Sequence, residues 1–235
     1  MTLDKLNAFP LISNREDRKY IIPVHRMDEL LQQCLAHYNI LEIEGERIFD
    51  YRNTYYDTKE LSMYHLHQRG KKNRCKVRKR EYLNTHDTFF EVKISNNKDK
   101  TTKHRLQTEV FEDAKEMIKQ FSMYDPSMLY PTLTIIYRRI TLKHKCQLEK
   151  VTMDMALTCT ADGKQASFDQ LVFAEVKTMT PHQIEFCGIM KNMGIRGGSL
   201  SKYCLGIISL YPNVKHNNFK VPLVKIKKSA AHAIS

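Results

Sequence analysis

Three short units in this chain place an acid two residues before a lysine: Asp17-Arg18-Lys19, Glu91-Val92-Lys93 and Glu175-Val176-Lys177. Side chains alternate between faces in an extended strand, so the acid and the lysine of each unit share one face. A further segment carries Arg74, Lys76, Arg78 and Arg80 at the same two-residue spacing. An ordinary antiparallel sheet with one wet face also shows charges, but such a face mixes Ser, Thr, Gln, Lys and Glu freely. Here Lys and Arg dominate strand after strand, and acids recur at a fixed offset. Turned inward, these cations would repel one another and lose hydration, so they would need acid partners or a bound anion. Basic side chains on successive strands can follow a linear polyanion, with Arg adding forked contacts to phosphate oxygens. The acids can balance the lysines or hold a divalent cation through oxygen.

The elements that must carry these residues follow from local pattern. Strands are expected at Tyr20–Val24, Arg47–Asp57, Arg74–Tyr82, Thr88–Ser95, Lys103–Val110, Thr132–Leu142, Gln147–Thr158 and Gln170–Thr178. Asn84–Asp87 has the turn chemistry to join two of them as a hairpin. Helical spacing marks Asp28–Tyr38 and Glu112–Phe121, and Pro181 fits the first turn of a helix running to Met190. Ser199 or Ser201 can cap a last helix, Lys202–Leu210. About eight strands with few helices between them indicate an α+β chain built as a closed eight-stranded antiparallel β-barrel, with helices packed outside. Residues 1–212 form one domain in this reading, and 213–235 a basic, loose tail.

The chain has 235 residues, 42% of them hydrophobic, and a formal net charge of +12. That is enough for one full core, and the charge favours a polyanionic partner. Six cysteines are scattered singly, without metal-ligand spacing, as reduced thiols of a cytoplasmic protein would be. No apolar run is long enough to span a membrane. No Walker-type loop appears, and the His65-Leu66-His67 spacing lacks a third zinc partner. The charge runs Arg69–Lys72 and Lys225–Lys228 read as solvated. Tyr51, Tyr55 and Tyr56 divide between two faces, so they make a poor stacking platform, and no nucleic-acid partner is expected.

The segments DRKYIIP (Asp17–Pro23), RNTYYDTKELSMY (Arg52–Tyr64), RCKVRKREY (Arg74–Tyr82), FFEVK (Phe89–Lys93) and TKHR (Thr102–Arg105) carry a resemblance. So do YRRITL (Tyr137–Leu142), VTMD (Val151–Asp154), AEVK (Ala174–Lys177) and SLSKY (Ser199–Tyr203). In this order the set resembles the catalytic domain of the vacuolar transporter chaperone (VTC) polyphosphate polymerases, within the CYTH or triphosphate tunnel metalloenzyme superfamily. The resemblance implies an eight-stranded tunnel, manganese or magnesium as cofactor, ATP as substrate, and polyphosphate and ADP as products. It also implies a possible membrane-embedded partner protein. Carried over by position, Lys19, Lys76, Arg78, Lys93, Arg139 and Lys202 would act on the transferring phosphates. Lys103, Arg105, Tyr137, Lys150 and Ser201 would bind substrate, and Glu175 would hold the metal. Asp17 stands where the superfamily has Glu, and Lys150 where an Arg is expected. Thr134 and Ser199 replace basic residues. A triphosphatase in the same tunnel and a non-catalytic sensor of polyphosphate or inositol pyrophosphate are the alternatives.

Overall fold

A computed structural model describes residues 16–96, 101–179, 184–198 and 200–231. Ten strands form one antiparallel sheet: β1 (Glu16–Pro23), β2 (Tyr38–Ile40), β3 (Phe49–Asp57), β4 (Arg74–Tyr82), β5 (Asp87–Ser95), β6 (Thr101–Gln107), β7 (Tyr130–His144), β8 (Glu149–Ala161), β9 (Lys164–Phe168) and β10 (Leu171–Thr178). Six α-helices accompany them: α1 (Met27–Leu35), α2 (Ser62–Gln68), α3 (Phe111–Phe121), α4 (Glu185–Asn192), α5 (Lys202–Leu210) and α6 (Lys220–Ala231). Pro181, expected in the first turn of α4, and Ser199 lie outside the described residues.

The main path runs β1-β10-β8-β7-β3-β4-β5-β6, with β2 added to β7 and β9 to β8. This corrects the expected closed eight-stranded barrel. Among the described residues no hydrogen-bonded ladder joins β6 to β1, so the sheet is open at that seam. It is nonetheless strongly curved, because Lys93 of β5 lies within electrostatic reach of Glu175 and Lys177 on β10 and Lys19 on β1. Part of the β1 edge is covered by the loop before α5, where the Gly198 N–H donates to the Lys19 carbonyl at 3.0 Å.

Alternation assigns the two faces. Outward residues Ile22, Val151, Val172 and Val176 pack with Leu30 of α1 and Phe186 of α4. Val77, Phe90 and Val92 pack with Ala114 and Ile118 of α3. The two valines of the acid-x-Lys units thus lie beneath helices, and their charged neighbours take the concave face. That face changes character along its strands. Lys19 gives way to Ile21, and Glu175 to Phe173 and Leu171. Arg139 and Tyr137 give way to Ile135 and Leu133. On β8 Asp154 gives way to Leu157 and Cys159, a change of parity made by an extra residue beside Ala156, whose φ is 50°. All these apolar residues join one core cluster with Tyr203, Cys204, Ile207 and Leu210 of α5. Helix α5 therefore fills the concave side at one end.

The expected loose tail is a second correction. Its 213–231 portion is packed onto the fold, because its lysines conceal an apolar stripe of Leu223, Ile226 and Ala230 that joins the α5 core. Tyr64 Oη of α2 donates to the Lys215 carbonyl at 2.9 Å, and the Gln68 side chain donates to Asn217 at 2.7 Å. Lys225 Nζ donates to the Gly197 carbonyl at 3.0 Å, so this segment links α2 to the loop beside β1. Ile226 is 5% exposed. Replacing it with Ala should cost about 2–5 kcal/mol in urea unfolding, whereas Lys227→Ala should change stability by less than about 0.5 kcal/mol. Equal stability of the two variants would show that α6 is not part of the core.

Candidate functional site

The concave face outside the α5 core is organised around three of its carboxylates, Glu91, Asp154 and Glu175, among a much larger set of cations. Glu91 of β5 is 1% exposed and accepts from Arg78 of β4 at 2.7 and 2.5 Å. Lys103 and Arg105 of β6 approach the same carboxylate at 3.2 and 3.7 Å. Arg105 also lies over the Phe89 ring, 3.3 Å from its centre. Burial opposes ionisation of Glu91, but Arg78, Arg80 and Lys103 hold its pKa well below the usual carboxylate range. The same ion pair raises Arg78 against the effect of burial.

Asp154 forms the second group. It accepts from Arg139 at 2.5 and 2.8 Å and from Lys202 at 2.6 Å. Burial opposes its charge, yet Arg139 and Lys202 hold its pKa down at about 2. Arg139 lies over Tyr51 and Tyr137, 4.9 and 5.2 Å from the ring centres, and those rings stack on each other. Lys202 is the first residue of α5, and Ser201 caps that helix by accepting from the Cys204 N–H at 3.1 Å. The positive end of α5 therefore faces the chamber.

Glu175 anchors the third group. Its ion pairs are long, 3.8 Å to Lys19 and 3.4 Å to Lys177. Burial again opposes ionisation, but Lys177, Lys19, Lys93 and Lys202 keep its pKa below the ordinary range. Lys76 and Lys93 face this group, and among the described residues neither forms an ion pair with a carboxylate. Burial and neighbouring cations lower Lys93 to about 7 and Lys76 to about 8. Lys150 shares its inward parity with Thr152 and Asp154, and its register partner is Lys177.

All the residues selected from the sequence thus lie on the concave face or at the start of α5. Others join them, among them Arg74 and Arg80, which the basic ladder placed on this face without a role, and Asp154 and His67, which sequence reasoning did not select. Asp154 was visible only as the acid closing the VTMD segment. Arg80 is buried and donates to Asn53 at 2.9 Å. Arg74 has a buried Nε with no partner. His67 lies one turn after Tyr64 on α2, and its only early signal was a zinc-like spacing. Burial and then Lys76, Arg74, Lys93 and Lys19 lower its pKa to about 2, so it is a neutral ring among cations. Helix α2 is held in place by Asp57, which accepts from the Met63 and Tyr64 N–H groups at 2.9 and 3.0 Å and from the Tyr203 hydroxyl.

A separate cluster lies outside the chamber, where donor atoms of His37, His144 and Glu185 come within 4.8 Å of one another. His144 Nδ1 accepts from the Cys146 and Gln147 N–H groups at 3.1 and 2.8 Å. That places the ring proton on Nε2, the reverse of the usual arrangement, in which a metal-binding imidazole donates through its second nitrogen. This cluster therefore fits a metal poorly.

A curved antiparallel sheet with a cationic concave face, covered outside by helices, is the triphosphate-tunnel type of fold. The chain belongs to the family defined by the VTC domain, whose model matches residues 14–211. No curated protein matches it. Among solved structures, a candidate adenylate cyclase from Bacillus halodurans aligns with a TM-score of 0.54 at 16% identity, covering 80% of this chain and 95% of that one. A candidate adenylate cyclase from Vibrio parahaemolyticus gives 0.51 at 15% identity, covering 82% and 98%. A candidate adenylyl cyclase from Hippeastrum, described as having a dominant triphosphatase activity, gives 0.51 at 12% identity, covering 86% and 99%. At these identities the likeness concerns the fold.

The depressed lysines make stability and binding depend on pH. Between its folded and its ordinary pKa, each lysine binds fewer protons in the folded chain than in the unfolded one. For the ligand-free protein, Lys76 and Lys93 therefore favour folding increasingly as pH rises from about 7 towards 10. A polyanion restores the charged lysines, so its binding at pH 8 should take up protons. Calorimetry in buffers of different ionisation enthalpy reads that uptake, and Lys93→Met should reduce it. At the acid end Asp154 gives a slope of the same sign. Its stabilisation is complete above the ordinary Asp value and is lost as pH falls towards about 2.

Proposed function

We propose that this protein is a metal-dependent polyphosphate polymerase, which transfers the γ-phosphoryl group of ATP to the end of a phosphate chain and releases ADP. The observation that carries this reading is the surplus of half-buried cations on the concave face. Arg74, Lys76 and Lys93 are costly to hold together without a counter-anion, and a phosphate chain supplies several negative charges along a line. Membership of the VTC-domain family supports phosphate-polymer chemistry.

Glu175 is the carboxylate best suited to a divalent cation such as Mn2+ or Mg2+. Glu91 and Asp154 are each saturated by close ion pairs, whereas the Glu175 contacts of 3.4 and 3.8 Å leave oxygen lone pairs available. When bound there, such a cation would withdraw charge from phosphate oxygens. The chain's own groups do the rest. Lys19, Lys76 and Lys93 bind the phosphates beside Glu175. Arg78 is fixed by Glu91, and Arg139 and Lys202 by Asp154, so their remaining N–H groups are oriented before substrate arrives. Fixed donors of this kind lower the barrier by meeting charge that builds up in the transition state. The acceptor phosphate oxygen is already ionised, so no side-chain base is required.

Water as acceptor is the second reading, which would make the protein a triphosphatase. Helix α5 favours it by filling one end of the concave face, which leaves a growing polymer no exit there. Incubation with ATP and Mn2+, followed by gel analysis of chain length and 31P NMR, separates the two. Chains longer than tripolyphosphate support the polymerase, and orthophosphate alone supports hydrolysis. Glu175→Gln should lower either activity by at least about 100-fold with an unchanged fold by circular dichroism. Near-normal turnover would remove Glu175 from the metal site. Binding without turnover of any phosphate substrate would leave the sensor.

A further inference from the structure

At the end of the concave face where α5 packs, the inward positions divide into two sets. Ile21 of β1, Leu171 of β10 and Leu133 of β7 are buried in the α5 core, and Tyr55 of β3 stacks on Tyr203 of that helix at 5.1 Å. On β4, β5 and β6 the inward positions at the same end are polar. They are Arg74, Ser95 and Thr101, which the register places side by side. The Ser95 and Thr101 hydroxyls are 3.3 Å apart and exposed. The side chains of Lys19 and Lys103, on the two edge strands, are 40% and 43% exposed. Helix α5 therefore covers one side of this end only. A polar lane remains beside it, open toward the seam between β6 and β1.

His67 of α2 belongs to this lane. Lys76, Arg74, Lys93 and Lys19 all lie within electrostatic reach of its ring. Among the described residues the ring has no hydrogen-bond partner, and Arg74 has a buried Nε with none. The backbone beneath the ring is fixed. Asp57 binds the start of α2, and the next residue, Gln68, donates to Asn217 at 2.7 Å and accepts from Asn218 at 2.8 Å. Burial and the surrounding cations keep the imidazole neutral. A neutral imidazole still carries one N–H donor, and it adds nothing to the repulsion among the lysines.

In-line transfer places the acceptor on the side of the moving phosphorus away from ADP. Arg139 pairs with Phe49 at the start of β3, level with the end of β4, whereas Arg74 is the first residue of β4. Arg74 lies one two-residue step, about 7 Å, beyond Lys76. A chain lying along Arg74, Lys76 and Lys93 thus reaches the Glu175 group from the end opposite Arg139. We propose that this lane is the acceptor subsite and that His67 is its specificity-determining residue, donating from its ring to an oxygen of the incoming phosphate chain. The proposal rests on the polymerase reading above and adds where the acceptor lies. Nucleotide phosphates take the Arg139 side of Glu175, and the acceptor takes the His67 side.

The test is isothermal titration on the full chain with two ligands. One is the magnesium complex of β,γ-imido-ATP, which cannot transfer its terminal phosphoryl group, and the other is medium-chain polyphosphate. Protein saturated with the analogue should still bind polyphosphate. His67→Ala should weaken that second binding about tenfold and change the affinity for the analogue by less than about twofold, as one lost contact to a charged oxygen would. His67→Gln keeps an N–H donor and should recover most of the loss, which a merely structural role of the ring would not produce. Should the Ala variant not fold, His67→Leu, which has similar bulk and no donor, takes its place. The proposal is overturned if the two ligands exclude each other, if the donor-free variant weakens both equally or neither, or if His67→Gln binds no better than that variant. If the analogue binds and polyphosphate does not, water is the acceptor and the polymerase reading falls, with the His67 assignment. If neither ligand binds the unmutated protein, the phosphate-chain reading itself fails.

Discussion

Repulsion among half-buried cations is the constraint on which this molecule depends. Lys19, Arg74, Lys76 and Lys93 come from three strands and converge with few acids among them. At close range and reduced dielectric, like charges repel by several kcal/mol, on the order of 4 at 4 Å for an effective constant of 20. The fold tolerates this in three ways. It saturates some cations with Glu91 and Asp154. It depresses the pKa of Lys93 and Lys76, so that part of the charge is shed when no anion is present. It leaves the seam side wet, where screening is strongest. What remains is a set of cations organised before any anion arrives.

Strict alternation lets the body of the protein withstand this face. The residue between acid and lysine, Val92 or Val176, is fully buried beneath an outer helix. Each strand therefore contributes a charge to the chamber and an apolar anchor to the shell. Tyr51 and Tyr137 extend the scheme inside, since their stacked rings support Arg139 from faces that attract a cation. Asp57 does comparable work at the end of β3 by binding the start of α2 and the Tyr203 hydroxyl at once. One buried carboxylate thus ties the helix that carries His67 to the helix that carries Lys202.

The strand content of this architecture was legible because period-two charge patterns are local. The basic ladder from Arg74 to Arg80 and the three acid-x-Lys units directed attention to the concave face from side-chain spacing alone. Other features are set by contacts distant in sequence. Whether β6 pairs with β1 depends on the curvature of the whole sheet, and no local pattern encodes it. The position of α5 was hidden because Lys202–Leu210 is apolar on most sides, which marks a buried helix without saying which face of the sheet buries it. Two signals could have helped. Inward positions turn apolar together on β1, β7, β8 and β10, and Gly206 lies in mid-helix, where glycine is otherwise costly. The tail misled for a different reason, since four lysines in α6 outweigh an apolar stripe only three residues wide.

The three chamber carboxylates show why residue type alone could not assign roles. Glu91, Asp154 and Glu175 all lie on inward strand positions, and all are held in the ionised form by neighbouring cations. Their difference is the distance of those cations. Glu91 and Asp154 have partners at 2.5 Å, and such contacts orient the guanidinium groups that share them. Glu175 meets Lys177 of its own strand at 3.4 Å and Lys19 of the neighbouring strand at 3.8 Å. A carboxylate that is charged yet loosely held is suited to exchange its lysines for a metal ion. The spacing Glu175-Val176-Lys177 repeats Glu91-Val92-Lys93 in sequence. The two carboxylates diverge because β5 is flanked by Arg78 and Arg105, whereas β10 is flanked by Lys19 and Thr152.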